Sequence, residues 1–272
     1  MNVIKKISYH PVIVGAVRFL HIQKILKYAY YYFNRPKDGL VPLEISDIKI
    51  SLYIDKPAEL RCLESIGKAE GEKKLLEKFL LEINTGDVVY DVGAHLGLYT
   101  IFLAKKVGPS GRVIAFEPDK DMVSHLEKSI KANDVSNVLV VKKALGEMNG
   151  VGNLYEGETI GNTSLVKTYE KVINQEEVEI ISGDDFALEN NLPIPKFAKI
   201  DIEGYEFSAL KGLAKTLSHP DCKILCCEVH PGILPAGITE DAIVELIKSF
   251  GFLNIDTRER ELNSYHVIAR KS

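Results

Sequence analysis

The sequence is poor in cysteine, with four in 272 residues, and three of them lie close together at Cys222, Cys226 and Cys227. A disulfide framework is typical of short secreted chains dense in cysteine, and a zinc site needs spaced pairs of Cys or His. Neither pattern is present. Because the three cysteines fall in an apolar run, we expect them to pack in the core of a protein in a reducing, cytoplasmic compartment.

The sequence also lacks a long uncharged apolar run. The most apolar stretch near its start, residues 11–33, is interrupted by Arg18, Lys24 and Lys27. It therefore falls short of the roughly 18 uncharged residues that a membrane-spanning helix needs. The sequence also lacks the clean small-residue cleavage site that would indicate a signal peptide. These absences argue against a spanning or secreted protein.

Acidic residues are missing from the first 37 positions, which carry seven Lys and Arg. We predict that residues 1–40 form a basic amphipathic helical extension. Two interpretations stay open: the extension rests peripherally on the anionic inner face of a membrane or on a partner, or it caps the domain with its lysines in water. The net charge of −4 and the pI near 6.0 give no reason to expect nucleic acid as a partner.

Strand and helix patterns alternate along the rest of the chain. A turn cluster at residues 34–39 precedes a lead-in, residues 41–84, with a half-buried strand at 47–54 and an amphipathic helix at 71–83. The main domain, residues 85–272, then has strands predicted at 87–92, 112–116, 138–141, 197–202 and 224–229, with helices at 98–107, from 119, at 205–213 and from 239. This alternation predicts a doubly wound, Rossmann-like α/β sheet.

The last two predicted strands, residues 253–256 and 265–269, are too close in sequence for a parallel crossover. We therefore predict a final hairpin and an antiparallel last strand in a mostly parallel sheet. Class I methyltransferases have this arrangement, whereas the sheets of dinucleotide dehydrogenases stay parallel.

A glycine-containing turn follows the first strand of the main domain, in Asp91-Val-Gly93-Ala-His-Leu-Gly97. Gly93 would let a ligand approach the backbone, and Gly97 would let the chain turn into the helix. No third glycine completes the dinucleotide fingerprint. Asp91 would repel a pyrophosphate but suits a cofactor with an ammonium and a sulfonium. An ordinary tight β-to-α turn is the alternative.

A second acid, Glu117, follows the next strand, twenty residues after Gly97. Its carboxylate could accept hydrogen bonds from both hydroxyls of a ribose, or it could be an acid placed by a helix dipole. The third strand leads to Ala144, a small residue at a predicted turn that suits a wall for an adenine.

These motifs resemble the FkbM family of methyltransferases. The resemblance rests on Asp91–Thr100, on Phe116-Glu117-Pro118 and on Lys199–Gly212, which contains a K-I-D-x-E-G-x-E stretch, and it spans about residues 72–269. It implies S-adenosylmethionine as cofactor and methyl transfer to a hydroxyl of a sugar, glycan, glycolipid or related small metabolite. The predicted cofactor-binding residues are Asp91, Gly93, Ala94, His95, Gly97, Tyr99, Glu117, Pro118 and Ala144.

A hydroxyl acceptor needs a base to remove its proton. Asp201 and Glu203 follow the fourth strand, and Glu228 and His230 the fifth, so each pair could point into one cleft. His230 is the predicted base, because its ordinary pKa lies near neutrality. Asp201 would hold the cofactor's amino group or act as base, and Glu203 would position the acceptor. A magnesium site formed by these four residues is the alternative.

Three function classes follow. The first is an O-methyltransferase that acts on a sugar or similar small molecule. The second is a nicotinamide-dependent oxidoreductase, which the absent third glycine and the final hairpin oppose. The third is a module that binds S-adenosylmethionine without turnover, which the acidic residues at the strand ends oppose. No Asn-Pro-Pro-Tyr stretch or Cys next to Pro points to methylation of nitrogen or of nucleic acid.

Overall fold

The computed structural model describes residues 36–55, 59, 71–157, 163–167, 172–259 and 264–272. The predicted extension lies almost wholly outside them, so its two interpretations stay predictions, as does the division at residues 40 and 84. Within the described residues, no helix has both the length and the apolar character needed to cross a membrane.

The described residues form an alternating series of strands and helices. The strands are β1 (Leu40–Ile45), β2 (Ile48–Tyr53), β3 (Val88–Val92), β4 (Arg112–Phe116), β5 (Val138–Val141), β6 (Ala144–Gly146), β7 (Gly150–Gly157), β8 (Thr163–Ser164), β9 (Val172–Ser182), β10 (Phe197–Ile200), β11 (Ile224–Val229), β12 (Asn254–Glu259) and β13 (Tyr265–Arg270). The helices are α1 (Glu72–Glu82), α2 (Leu98–Val107), α3 (Lys120–Ala132), α4 (Gly183–Glu189), α5 (Glu206–Gly212), α6 (Ala214–Ser218) and α7 (Glu240–Ser249).

The central sheet has the strand order β12-β13-β11-β10-β3-β4-β5. Strands β3, β4, β5, β10 and β11 are parallel, whereas β13 runs antiparallel to both β11 and β12. The predicted doubly wound sheet and its final hairpin are confirmed. Strand order reverses between β3 and β10, and ligands of such sheets bind outside the carboxyl ends of the strands at such a reversal.

Each face of the central sheet supports its own core. Val89 and Val113 pack with α1 and α2 on one face, while Tyr90 and Ile114 pack with α5 and α7 on the other. Neighbouring residues of a strand point to opposite faces, so apolar runs such as those of β3 and β4 fill both cores. Cys222, Cys226 and Cys227 are buried as predicted.

The sequence-predicted helix boundaries follow from capping. Asp119 accepts hydrogen bonds from the N–H groups of Asp121 and Met122 at the start of α3, and Thr239 accepts one from Ala242 at the start of α7. These two caps fix the residues at which α3 and α7 begin, and they therefore fix the lengths of the connections from β4 and β11.

A second sheet, with the order β6-β9-β7-β8, lies between β5 and β10 in the chain. The sequence analysis predicted a turn at Ala144 and no strands in this segment, and both expectations were wrong. Ala144 is a buried residue of β6 that packs with Leu154 and Val178. Polar and apolar residues alternate only weakly over residues 144–182, because β7 contains three glycines and β9 has a polar run at residues 174–177, which removes the usual strand signal.

Two smaller corrections concern the end of one central strand and the lead-in segment. Strand β10 ends at Ile200, not at residue 202, so Asp201 lies on the turn beyond it. The lead-in contains two strands, since β1 pairs antiparallel with the predicted strand β2.

Candidate active site

The loop between β3 and α2 is built around two glycines in the left-handed region. Gly93 and Gly97 have φ values of 83° and 90°. A Cβ atom on Gly93 would lie 1.9 Å from the carbonyl oxygen of Asp201, and one on Gly97 would lie 2.6 Å from Leu126. The space beside Gly93, which the sequence analysis assigned to a ligand, is therefore occupied by a neighbouring turn of the protein, and the loop packs against the end of β10.

Glu117 holds the same loop from the end of β4. Its carboxylate accepts hydrogen bonds from the N–H groups of His95 at 2.7 Å and of Asp119 at 2.9 Å. His95 has a φ of 51°, which few non-glycine residues adopt, so this contact fixes a strained position. Burial raises the pKa of Glu117 to about 7, although both backbone hydrogen bonds lower it. Ala94 and Pro118 lie in the same two strand-end segments.

Asp91, a predicted cofactor-binding residue, is fully buried in β3. Its Oδ2 accepts a hydrogen bond from the Thr100 hydroxyl at 2.6 Å. Among the described residues its Oδ1 has no hydrogen-bond partner. Burial raises the pKa of Asp91, and the nearby charge of Lys199 acts in the opposite direction.

Tyr99 is hydrogen-bonded to the lead-in helix α1. Its hydroxyl donates to Glu72 Oε2 at 2.6 Å, and Lys199 Nζ lies 4.8 Å from the centre of its ring. The contacts of Tyr99 and of Ala144 with a cofactor therefore both stay predictions.

Lys199 is a buried cation next to two strand-end acids. Its Nζ donates to Asp201 Oδ2 at 3.0 Å, and the strand register sets Lys199 beside Asp91. Burial lowers the pKa of Lys199, but the charges of Asp201 and Asp91 outweigh burial and raise it. The sequence analysis quoted Lys199 only within the family motif, although a charge inside an apolar strand was a usable signal.

Glu203 lies on the turn after β10 in a strained conformation. Its φ of 54° is in the left-handed region, which costs a non-glycine residue about 1–2 kcal/mol. The next residue, Gly204, has a φ of 99°, and a Cβ atom there would lie 2.7 Å from the carbonyl oxygen of Ile233. The Gly204 N–H donates to Glu206 Oε1 at 2.8 Å. The Asp-x-Glu-Gly stretch is thus a rigid turn that presents Glu203 at the sheet edge.

His230 lies between three carboxylates. Its Nδ1 is 2.7 Å from Glu206 Oε1, and its Nε2 is 3.4 Å from Glu228 Oε1 and 3.6 Å from Glu203 Oε2. Side-chain atoms of Asp201, Glu203 and His230 also lie within 4.8 Å of one another. The structure therefore brings together the four predicted catalytic residues.

The magnesium alternative has the required spacing, because carboxylate and imidazole atoms converge there. However, Asp201 is already paired with Lys199, and Glu203 lies beside His230. Cations of the protein itself thus neutralise part of the charge that a metal would otherwise balance.

The protonation states at this edge differ from those expected. Burial alone would lower the pKa of His230, but hydrogen bonds with Glu206 and Glu228 outweigh burial and raise it to about 11. An imidazolium has no lone pair to accept a proton, so this arrangement argues against His230 as the base. Burial raises the pKa of Glu203 to about 7, with the charge of His230 opposing the shift.

The sequence analysis did not identify several residues that support this cluster. Glu206 is fully buried, and its Oε1 lies 2.7 Å from His230 Nδ1. Glu228 accepts a hydrogen bond from the Ser264 hydroxyl at 2.8 Å, and its Oε2 lies 3.2 Å from His266 Nε2. Ser264 and His266 come from the antiparallel end of the sheet, and no local pattern marks them.

Residues 91–253, more than half of the chain, match the methyltransferase FkbM domain. The chain belongs to the FkbM methyltransferase family. This FkbM protein therefore has the class I methyltransferase fold and uses S-adenosylmethionine, as predicted, and the oxidoreductase alternative is not supported.

Two relatives and one solved structure illustrate the similarity. This FkbM protein is 27% identical over 171 residues to hexuronic acid methyltransferase AglP of Haloferax volcanii, covering 62% of this chain and 67% of the relative. It is 25% identical over 145 residues to Methyltransferase 1 of Beauveria bassiana, covering 46% and 57%. An O-methyltransferase structure from Thermotoga maritima has 12% identity and a TM-score of 0.46, covering 86% and 78%.

The strand-end residues fit the cofactor. Gly93 and Gly97 let the β3–α2 loop pack closely against neighbouring segments, and Glu117 accepts a hydrogen bond from the N–H of His95 in this loop. Asp91 keeps one buried carboxylate oxygen without a hydrogen-bond partner among the described residues. Acids at these two strand ends suit the hydroxyl and cationic groups of S-adenosylmethionine.

Proposed function

We propose that this enzyme methylates a hydroxyl of a sugar, glycan, glycolipid or related small metabolite. The observation that carries the proposal is the rigid turn after β10, where Glu203 has a pKa of about 7 beside a charged His230. A carboxylate with a pKa near neutrality suits removal of a hydroxyl proton. The similarity to a hexuronic acid methyltransferase supports a sugar acceptor.

Each group at the edge then has a distinct task. The cofactor, when bound, supplies an electrophilic methyl group. Glu203 accepts the hydroxyl proton, so the base is Glu203 and not His230 as first predicted. His230 stays charged, held by Glu206 and Glu228, and orients Glu203. Asp201, oriented by Lys199, is placed to bind the acceptor or the amino group of the cofactor.

Changing Glu203 to Gln tests the proposal. We expect kcat to fall by about 10²–10⁴-fold, the usual contribution of a general base, with cofactor affinity unchanged. In the unchanged enzyme kcat should rise as the pH increases through 7, because Glu203 must be ionised to accept a proton. The measurement is formation of S-adenosylhomocysteine with a panel of neutral sugars and hexuronic acids.

The exposed acid Glu179, which pairs with Lys143 on the second sheet, provides the matched control. Glu179→Gln should leave kcat and its pH profile unchanged. Turnover of Glu203→Gln at the wild-type rate would show that another group is the base. Cofactor binding without turnover on any acceptor would favour the non-catalytic module.

The basic extension bears on where the enzyme works. If residues 1–37 contact an anionic membrane, binding to vesicles that contain phosphatidylserine should weaken as salt increases. If the extension caps the domain, vesicles should not bind at any salt concentration. Co-sedimentation separates a peripheral enzyme at the inner membrane face from one free in the cytoplasm.

A further inference from the structure

The orientation of Glu203 depends on contacts outside its own side chain. Its left-handed backbone is disfavoured for this residue type. Such conformations persist only where the surroundings over-determine them. Whatever holds the backbone of this turn therefore also determines where the Glu203 carboxylate points.

One contact to the turn comes from a distant part of the chain. The hydroxyl of Ser164 donates a hydrogen bond to the carbonyl oxygen of Glu203 at 2.6 Å, across 39 residues of sequence. Ser164 belongs to β8, which pairs with β7 through Tyr155. The bond therefore connects the second sheet directly to the strained residue.

The Ser164 hydroxyl has a defined orientation. Ser164 is 1% exposed, and its Oγ also accepts a hydrogen bond from the Val166 N–H at 2.9 Å. With that acceptor position filled, the hydroxyl hydrogen points to the Glu203 carbonyl. Because this buried hydroxyl both donates and accepts a hydrogen bond, it holds the turn in one position.

We propose that Ser164 is a positioning residue, which fixes the Glu203 turn and couples the second sheet to the methyl-transfer edge. This inference rests on the proposed function, because it takes Glu203 as the base. Through this hydrogen bond the second sheet affects catalysis, because a shift of β8 would move the backbone of Glu203.

Ser164→Ala tests this role by removing the hydroxyl alone. We expect kcat to fall by about tenfold, because small misplacements of a reacting group are costly. The midpoint of the pH–rate profile should move, while cofactor affinity should stay unchanged. Ser164→Thr keeps a hydroxyl and should recover part of the lost rate.

Ser208 offers a matched control in the same interface. Its Oγ accepts a hydrogen bond from the Glu147 N–H at 3.0 Å, which ties the second sheet to α5 without touching the Glu203 carbonyl. Ser208→Ala should keep the wild-type kcat and pH profile. Equal losses in Ser164→Ala and Ser208→Ala would overturn the proposal, because general docking of the sheet would then explain both.

A second measurement separates this inference from the proposed function. The ionisation of Glu203 can be followed by NMR in protein labelled with ¹³C-glutamate, with its signal assigned by Glu203→Gln, and no acceptor is needed. A displaced Glu203 titration in Ser164→Ala but not in Ser208→Ala would support positioning even if no sugar is methylated. An unchanged titration in Ser164→Ala would overturn it.

Discussion

At the scale of single residues, burial and neighbouring charges together set the protonation states of this site. The imidazole of His230 has an ordinary pKa near neutrality, but three carboxylates surround it and keep it charged. Glu203 has an ordinary pKa well below neutrality, and burial brings it to about 7. The two residues therefore exchange the roles that their isolated pKa values suggest.

Glu117 gives a prediction at this scale. Glu117→Ala should weaken binding of S-adenosylmethionine by about 1–3 kcal/mol, the cost of losing a hydrogen bond to a charged group. Because its pKa is about 7, wild-type affinity should decrease as the pH falls through 7 and Glu117 becomes protonated. Isothermal titration calorimetry at several pH values measures both effects.

The Glu117→Ala variant should lose this pH dependence, and Glu179→Gln should retain it. Wild-type affinity in Glu117→Ala, with the protein folded, would refute the assignment of Glu117 to the cofactor.

At the scale of elements, the site depends on two neighbouring strand ends meeting without side chains between them. The loop after β3 and the turn after β10 touch at Gly93 and Asp201. Each segment carries its own strained residue, His95 in one and Glu203 in the other. Strain collected at one sheet edge is typical of functional sites, where the surrounding structure holds it in place.

Gly93→Ala tests this contact. The new Cβ atom would lie 1.9 Å from the Asp201 carbonyl oxygen at a φ of 83°, so the two segments must separate. We expect a loss of at least about 2 kcal/mol in the free energy of unfolding, together with weaker cofactor binding. Urea denaturation measures the first effect.

Gly150, at the start of β7, is the matched control, because a Cβ atom there meets nothing within 4 Å. Gly150→Ala should change stability little. If Gly93→Ala were equally harmless, the two strand ends would not be held as closely as the structure shows.

At the scale of the whole molecule, the cofactor should stabilise the fold by mass action. At a concentration of 100 Kd, S-adenosylmethionine should add about 2.7 kcal/mol to the free energy of unfolding. For a domain of this size, that corresponds to an increase in Tm of roughly 5–10 °C. Thermal denaturation measures the shift, with NAD at the same concentration as the control.

NAD should leave the Tm unchanged, because the β3–α2 loop lacks the third glycine of a dinucleotide fingerprint. A larger shift with NAD than with S-adenosylmethionine would contradict the cofactor assignment. In Glu117→Ala the shift produced by S-adenosylmethionine should shrink.

The sequence by itself determined the alternating order of the central sheet, its final hairpin and the family. Apolar periodicity, caps such as Asp119 and Thr239, and the short link before β13 act locally and can therefore be read along the chain. The same local reading placed Asp91, Glu117, Asp201 and Glu203 at the ends of strands.

Only the tertiary structure decided which residues meet and in which charge state. The pairing of His230 with Glu206, the support from Ser164, and the contact of His266 with Glu228 join segments that are distant in sequence. The strands of the second sheet show only a weak alternation of polar and apolar residues, so only the pairing between them reveals this sheet. A pKa depends on desolvation and neighbouring charges, which exist only once the chain has folded.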